Sequence, residues 1–349
     1  MKRGDNIGGY HILQDFVVAG GMSKISFAEK NGNQYFIKEF LSPKYPVAGA
    51  PGSPDSIARK QKRCDVFEAH HRSLNDAIES KCAFGGNLVY AIDFFRSGTS
   101  YYKVTEKIDV ASLSPKDISK LPLEKILIIL KTVTHSLKIL HDLRIVHGDL
   151  KPDNILIKQT KTGGYTTKLI DFDNSYFSEA PPENTEEVVG TPEYYSPELA
   201  EYIKYGETEE DRKKLTVQSD IFALGVIFTE YLTGEKPIIS TEYNYCWEAC
   251  NDKTVIHFKD GGRTIKLRHL LSRMLQKDKE TRPSIAEIFN LLKAPDITKE
   301  IITSEVDTVK REKVSPLLRI SANLKTSSLS KEETQVKSTG LKIKGLNTD

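Results

Sequence analysis

Two kinds of apolar spacing divide this chain. In the first part the apolar residues come in short runs, broken by turn residues, which predicts strands. Residues 10–18 read as one strand, followed by Ala19-Gly20-Gly21-Met22-Ser23. Residues 25–29 and 35–40 read as the arms of a hairpin around Asn31-Gly32-Asn33, because Asn-Gly supplies the positive φ angles of a tight hairpin turn. A loop rich in Pro, Gly and Ser covers 42–56 and leads to a basic cluster, Arg59, Lys60, Lys62 and Arg63. A helix is predicted over 64–80, then strands over 88–94 and 101–105. Beyond that the period turns helical. Within 123–143, Ile126, Leu130, Val133, Leu137 and Leu140 fall on one stripe that must face a core. Further helices are predicted over 217–233, 265–275 and 284–292. After Pro295 Ser, Thr and Lys dominate and aromatic residues vanish. Residues 296–349 therefore read as a tail, largely disordered or loosely docked, with 314–324 apolar enough to dock on something.

Bulk composition narrows the function classes. The chain has 349 residues, with 50 Lys and Arg against 48 Asp and Glu, a formal charge of +2. That balance argues against electrostatic attraction to nucleic acid or to a membrane surface. No apolar run approaches the roughly 18 residues of a membrane span. Met1-Lys2-Arg3-Gly4-Asp5-Asn6 turns polar at once and lacks the apolar core of a signal peptide, so a cytoplasmic location is expected. The cysteines, Cys64, Cys82, Cys246 and Cys250, are too few for a disulfide scaffold. No second pair with metal-ligand spacing accompanies the last two, so buried thiols are expected.

The most specific chemistry lies in His147-Gly148-Asp149-Leu150-Lys151-Pro152-Asp153-Asn154. A strand-like run, Ile155-Leu156-Ile157, follows, and a second, Thr167-Lys168-Leu169-Ile170, ends in Asp171-Phe172-Asp173. Two carboxylates and one amide, each fixed at a strand end, are what metal-assisted phosphoryl transfer needs. One acid takes or orients the proton of the attacking hydroxyl; the amide and the second acid hold a divalent ion against the phosphates. The bland alternative is a polar loop whose Asn and Asp make ordinary turns.

That spacing resembles the protein-kinase catalytic loop, H-R-D-L-x-x-x-N, followed by the D-F-G metal site. The chain is similar to eukaryotic-type (Hanks-type) serine/threonine protein kinases, and among them to bacterial members. The resemblance covers 8–295 and implies an α+β, two-lobed fold: a small β-rich lobe with one main helix over about 8–107, a larger helical lobe over about 108–295, and ATP in the cleft between them. It implies transfer of the ATP γ-phosphate to Ser or Thr hydroxyls of protein substrates. By this resemblance Asp149 is the catalytic base, Lys151 steadies the transferring phosphate, and Asn154 and Asp171 bind Mg²⁺, with Mn²⁺ as the alternative.

The same resemblance assigns the nucleotide end. Lys38, in Phe36-Ile37-Lys38-Glu39, matches the strand lysine that grips the α- and β-phosphates and pairs with a helix glutamate. Glu68, six residues before Leu74, is the implied partner, and Glu79 the second choice. Val18-Ala19-Gly20-Gly21-Met22-Ser23-Lys24-Ile25 resembles the glycine loop, with Gly20 in register and Ser23 where the third glycine stands. Val17, Gly20, Gly21, Ser23 and Ile25 would cover the nucleotide, and Ile25 and Leu156 would sandwich the base. Thr105-Glu106-Lys107-Ile108 resembles the gatekeeper and hinge, which places Thr105, Glu106 and Ile108 beside adenine. Gly190-Thr191-Pro192-Glu193-Tyr194-Tyr195-Ser196-Pro197-Glu198 resembles the segment closing the activation loop. It implies that Thr191 bonds near Asp149 and Lys151, and that Glu198 forms a buried pair with Arg282. Asp220 would brace the catalytic-loop backbone.

Three departures from the family pattern carry information. Gly148 stands where the family has an arginine that receives an activation-loop phosphate, which suggests that this switch is absent. Phe36 occupies the usual alanine slot beside adenine. Asp173 replaces the D-F-G glycine, in a turn that needs unusual backbone angles, and adds negative charge near the metal. These departures keep two alternatives open: a pseudokinase scaffold or ATP-binding module, and a small-molecule kinase of the aminoglycoside or choline type. Against the latter stand Lys151-Pro152, Thr191 and Ser196-Pro197-Glu198. The Ser/Thr-rich tail is a candidate for autophosphorylation.

Overall fold

Alternating aromatic and β-branched residues build an antiparallel sheet in the first lobe. Its strands are β1 (Asn6–Ile7), β2 (Tyr10–Ile12), β3 (Val17–Ala19), β4 (Ser23–Lys30), β5 (Asn33–Phe40), β6 (Asp93–Ser97) and β7 (Ser100–Glu106), ordered β1-β2-β4-β5-β7-β6 with β3 also paired to β4. The computed structural model describes residues 2–299 except 20–22, 83–85, 109–111, 184, 186–187, 207 and 260–262. Gly20, Gly21 and the tail from residue 300, with its expected docking segment and phosphorylation sites, thus lie outside the described residues. All described residues belong to one compact unit, Met1–Val306.

The expected hairpin forms between β4 and β5. Asn31 and Gly32 take φ of 54° and 76° at its turn, the left-handed region that Asn and Gly tolerate best. The single strand expected over 10–18 is instead two. Ile12 pairs with Ala28 and Val17 with Ile25, so the chain takes two more residues than β4 over the same stretch and must bulge. Ser26 Oγ ties this bulge by donating to the Gln14 carbonyl at 2.7 Å. The strand expected over 88–94 begins only at Asp93. Residues before it are drawn to the other lobe, where Val89 N–H donates to the Leu169 carbonyl (2.9 Å).

One face of the sheet packs Tyr10, Ile12, Ala28, Ile37, Tyr102 and Val104 together. The other carries Phe40, Phe94 and Tyr101 against helix α1 (Pro54–Glu79). Phe67 on α1 meets Phe40 edge-to-face (5.1 Å between ring centroids), and His71 stacks on Phe94 (5.1 Å). α1 begins ten residues before the expected 64–80. Residues 54–63 have no apolar period because they are solvent-covered, basic cluster included. The true start is marked by Ser53, whose Oγ accepts from Ser56 N–H, with Pro54 at the first helical position.

The second lobe contains α2 (Pro115–Ser119), α3 (Leu123–Asp142), β8 (Ile145–Val146), β9 (Ile155–Gln159), β10 (Tyr165–Leu169), β11 (Tyr176–Phe177), α4 (Pro197–Tyr205), α5 (Glu209–Arg212), α6 (Gln218–Thr233), α7 (Cys246–Asn251), α8 (Ile265–Met274) and α9 (Ile285–Lys293). The expected stripe of α3 is fully buried: Ile126, Leu130, Val133, Leu137 and Leu140 are all 0% exposed, in one core with residues of α6, α8 and α9. Truncating one of them, as in Leu130→Ala, removes about 2–5 kcal/mol. α6 is buried along almost its whole length and brings its first turn, with Ser219 and Asp220, under the loop that follows β8. Among the described residues no helix is long and apolar enough to cross a membrane.

Candidate active site

Residues 147–154 run from β8 to β9 as an arc, held from below by Asp220. One Asp220 oxygen accepts from His147 N–H (2.8 Å) and meets His141 Nε2 (3.1 Å); the other accepts from Gly148 N–H (3.3 Å). His147 Nε2 donates to the Ile170 carbonyl (3.2 Å), tying the arc to the end of the β9–β10 hairpin. Gly148 has φ of 80°, and a Cβ built on it would lie 2.2 Å from the Asn174 carbonyl oxygen. No side chain fits there, so the missing arginine is a steric requirement of this loop.

Asp149 is fixed by its neighbours. Lys151 Nζ donates to its Oδ2 (2.7 Å) and Thr191 Oγ1 to its Oδ1 (3.0 Å), while Lys151 also donates to Thr191 Oγ1 (2.9 Å). Asn154 Nδ2 donates to the Asp149 carbonyl (2.8 Å). The register of β9 and β10 pairs Ile155 with Leu169, and Ile170 N–H donates to the Asn154 carbonyl (3.0 Å). The hairpin therefore brings Asn154 and Asp171 to one end. Asp171 sits at φ 64°, ψ 67°, a left-handed conformation that costs a non-glycine residue about 1–3 kcal/mol. Its carboxylate remains partly exposed. The Asn154 amide nitrogen is committed to Asp149, which leaves the amide oxygen as its donor atom. An amide oxygen and a carboxylate are the hard donors that Mg²⁺ or Mn²⁺ takes.

Lys38 has a different acid partner from the one expected. Its Nζ donates to Asp171 Oδ1 (2.7 Å) and Asp173 Oδ2 (2.7 Å). Burial opposes its charge, but attraction to Asp173 and Asp171 outweighs burial and holds its pKa above the usual lysine range. Glu68 does not reach it. The Glu68 carboxylate accepts from Arg72 Nε (3.0 Å) and Nη2 (2.8 Å), one turn along the same helix. The inward stripe of α1 is Cys64, His71, Leu74 and Ile78, which leaves Glu68 on its flank; Glu79, at the last residue of α1, is exposed. His71 takes the inward position. Burial chiefly pushes its pKa down to about 3, so it is neutral at pH 7.

Asp173 also differs from expectation. The left-handed residue is Asp171, and Asp173 sits within the short 3₁₀ turn Phe172–Asn174. Nor is its charge free: Lys103 bonds its Oδ1, as Lys38 bonds its Oδ2. Burial works against the charged form, but Lys103 and Lys38 prevail and hold the carboxyl below the usual range. Lys103 on β7 lies directly opposite Lys38 on β5. Sequence reasoning missed Lys103 and His71. A lysine inside Tyr101-Tyr102-Lys103-Val104 was a usable signal, since a buried cation requires an acid.

The residues expected to meet the nucleotide are spread over both lobes. Val17 is exposed on β3, opposite half-buried Ile25 on β4. Ser23 Oγ is used locally, donating to the Ala19 carbonyl (3.2 Å). Thr105 is buried at the end of β7 opposite Phe36, whose ring meets Phe27 edge-to-face at 6.0 Å. Glu106 pairs with Lys168 of β10, while Ile108 and Leu156 are half-buried. Beyond the cleft, Arg282 Nη1 and Nη2 grip the two Glu198 oxygens at 2.8 Å each, and Ser219 Oγ donates to Glu198 (2.9 Å).

Residues 61–292 match the family described as protein kinase domain. A probable serine/threonine-protein kinase of Encephalitozoon cuniculi is 30% identical over 201 residues, 58% of this chain and 32% of that protein. Mitogen-activated protein kinase kinase 2 of Arabidopsis thaliana is 29% identical over 246 residues, 66% of this chain and 63% of that protein. Serine/threonine-protein kinase A of Synechocystis is 29% identical over 179 residues, 50% of this chain and 32% of that protein. The chain thus matches from a third to less than two thirds of the length of these relatives. Among solved structures, the autoinhibited serine kinase domain of titin is similar in fold, with a TM-score of 0.57 and 18% identity, covering 84% of this chain and 81% of that one.

Proposed function

The chain belongs to the protein kinase domain family, and from that premise we propose that it transfers the γ-phosphate of ATP to serine or threonine hydroxyls of protein substrates. The observation that carries this reading is the closed set of bonds among Asp149, Lys151, Thr191 and Asn154. Asp149 is a carboxylate held still at the loop's centre, suited to accept the proton of an attacking hydroxyl. Lys151, two residues on, brings a positive charge to the same point, where charge develops on the transferring group. Thr191 carries the substrate-side segment onto this pair, so acceptor and base are positioned by one hydrogen-bond chain. Lys38 supplies the second cation from the sheet above. Asn154 and Asp171 would hold Mg²⁺, or Mn²⁺ in its place, and that ion would neutralise phosphate charge. Most of the rate then comes from positioning and electrostatics.

Asp149→Asn tests the reading. It is expected to lower kcat on a generic protein substrate by about 10²–10⁴ with an unchanged melting temperature; undiminished turnover would remove Asp149 from its role. Radiolabelled ATP offered with protein and with aminoglycosides separates the substrate classes. A melting temperature indifferent to saturating ATP and Mg²⁺ would favour a scaffold. The Ser/Thr-rich tail is proposed as an autophosphorylation target; mass spectrometry after incubation with ATP would show it unmodified if that idea is wrong.

A further inference from the structure

A lysine that grips phosphate must be held in place by an acid, and α1 presents neutral His71 toward the cluster. The geometry points to Asp173 as the positioning residue for Lys38, with Lys103 as the second cation that makes a buried aspartate stable there; this rests on the phosphotransferase reading above. Both Asp173 oxygens are engaged, one by each lysine. Asp171, the other acid on Lys38, lies at the hairpin end with Asn154 and is the one proposed to hold the divalent ion. Lys38 therefore needs a partner of its own, and Asp173 is the more enclosed of the two: its side chain is 16% exposed against 37% for Asp171.

The turn that carries Asp173 is pinned on several sides. Phe172 packs on the His147 ring (5.3 Å), Ser175 Oγ donates to the His147 carbonyl (2.9 Å), and His70 of α1 donates through Nε2 to the Ser175 carbonyl (2.9 Å). Asp173 and Lys103 also depend on each other. Without Asp173, two lysines face each other across adjacent strands with Asp171 left to serve both Lys38 and the ion; without Lys103, a buried carboxylate keeps one cation instead of two. The anchoring of Lys38 then belongs to the loop after β10, and α1 contributes by holding that loop through His70.

The test reads Lys38 directly. Lysines of the full chain, free of nucleotide, are labelled with an amine-reactive reagent and quantified by peptide mass spectrometry. Loss of the hydrogen bond that holds a lysine amine frees it for the reagent, and a roughly tenfold rise in labelling at Lys38 is expected in Asp173→Asn. Glu68→Ala is expected to leave Lys38 labelling unchanged. Asp173→Asn combined with Lys103→Met removes one charge of each sign and guards against misfolding; Lys38 should stay reactive in it, with a melting temperature near that of the parent. Parent-like labelling of Lys38 in either Asp173 variant, or an equal rise in Glu68→Ala, would overturn the assignment. Phosphate transfer by the parent is measured separately. A parent that transfers no phosphate but shows the expected labelling pattern removes the function reading and leaves the anchoring intact.

Discussion

The two walls of the cleft satisfy the same electrostatic rule in different ways. On the catalytic-loop side, each charged or polar group bonds a neighbour close in sequence or one named by a motif: Asp149 with Lys151 and Thr191, Asn154 with the Asp149 backbone, the arc with Asp220. On the sheet side, Lys38 finds acids 133 and 135 residues away, and the helix glutamate expected to meet it pairs with Arg72. Both walls neutralise their buried charges. Charge balance is thus a requirement of the site, whereas the element that supplies the acid is open to substitution.

The largest effect should come from the buried pair that braces the first wall. Arg282 is 3% exposed and bonded to both Glu198 oxygens, so Arg282→Met strands a buried carboxylate. A loss of about 3–5 kcal/mol in urea unfolding is expected, and a loss below about 1 kcal/mol would mean that the pair behaves like a surface contact. Gly148→Ala comes next. The left-handed φ and the contact with the Asn174 carbonyl together should cost at least ~2 kcal/mol. A fully stable, fully active Gly148→Ala would show that the loop can relax away from Asn174.

A pH profile probes the second wall. The folded pKa of His71, about 3, lies below its ordinary 6.5, so its contribution is complete above pH 6.5 and is lost as the pH falls toward 3. Asp173, Lys103, His70 and Lys38 face it, and none of them restores its proton at neutral pH. Going from pH 7 to pH 5 should cost roughly 2 kcal/mol through this group, a slope that His71→Gln removes. An identical pH profile in His71→Gln would place the acid sensitivity elsewhere. The smallest effect tests the contrast most sharply. Glu68→Ala should change stability by less than ~0.5 kcal/mol, as for a half-exposed helix pair, and leave phosphate transfer intact. A hundredfold loss of transfer would restore Glu68 to the lysine and collapse the distinction between the two walls.

Most of the second lobe was legible because its period is long and strong. The stripe from Ile126 to Leu140 and the α6 segment read as helices from their apolar spacing alone, and they occur within a residue or two of the expected bounds. The first lobe was less legible where tertiary pairing overrides local pattern. The bulge between β2 and β3 exists because both pair with β4, and the early start of α1 lies in residues with no buried face. At the candidate site, Asp149, Lys151, Asn154, Asp171 and Thr191 were named from motif spacing, and the structure brings them together. Glu68 was misplaced and Lys103 overlooked because both depend on the phase of a helix against a sheet.

By itself the amino-acid order determined which residues share a loop, a hairpin end or a helix stripe, since chain connectivity and backbone periodicity bring near neighbours together. It thereby determined the family and the members of the candidate loop. Only the tertiary structure decided which acid meets Lys38. That choice depends on the rotation of α1 about its axis and the pairing of β5 with β7, which place His71 inward and Lys103 beside Lys38. Two cations on adjacent strands then draw in the acids of the turn after β10: Asp173 meets both lysines, and Asp171 meets Lys38.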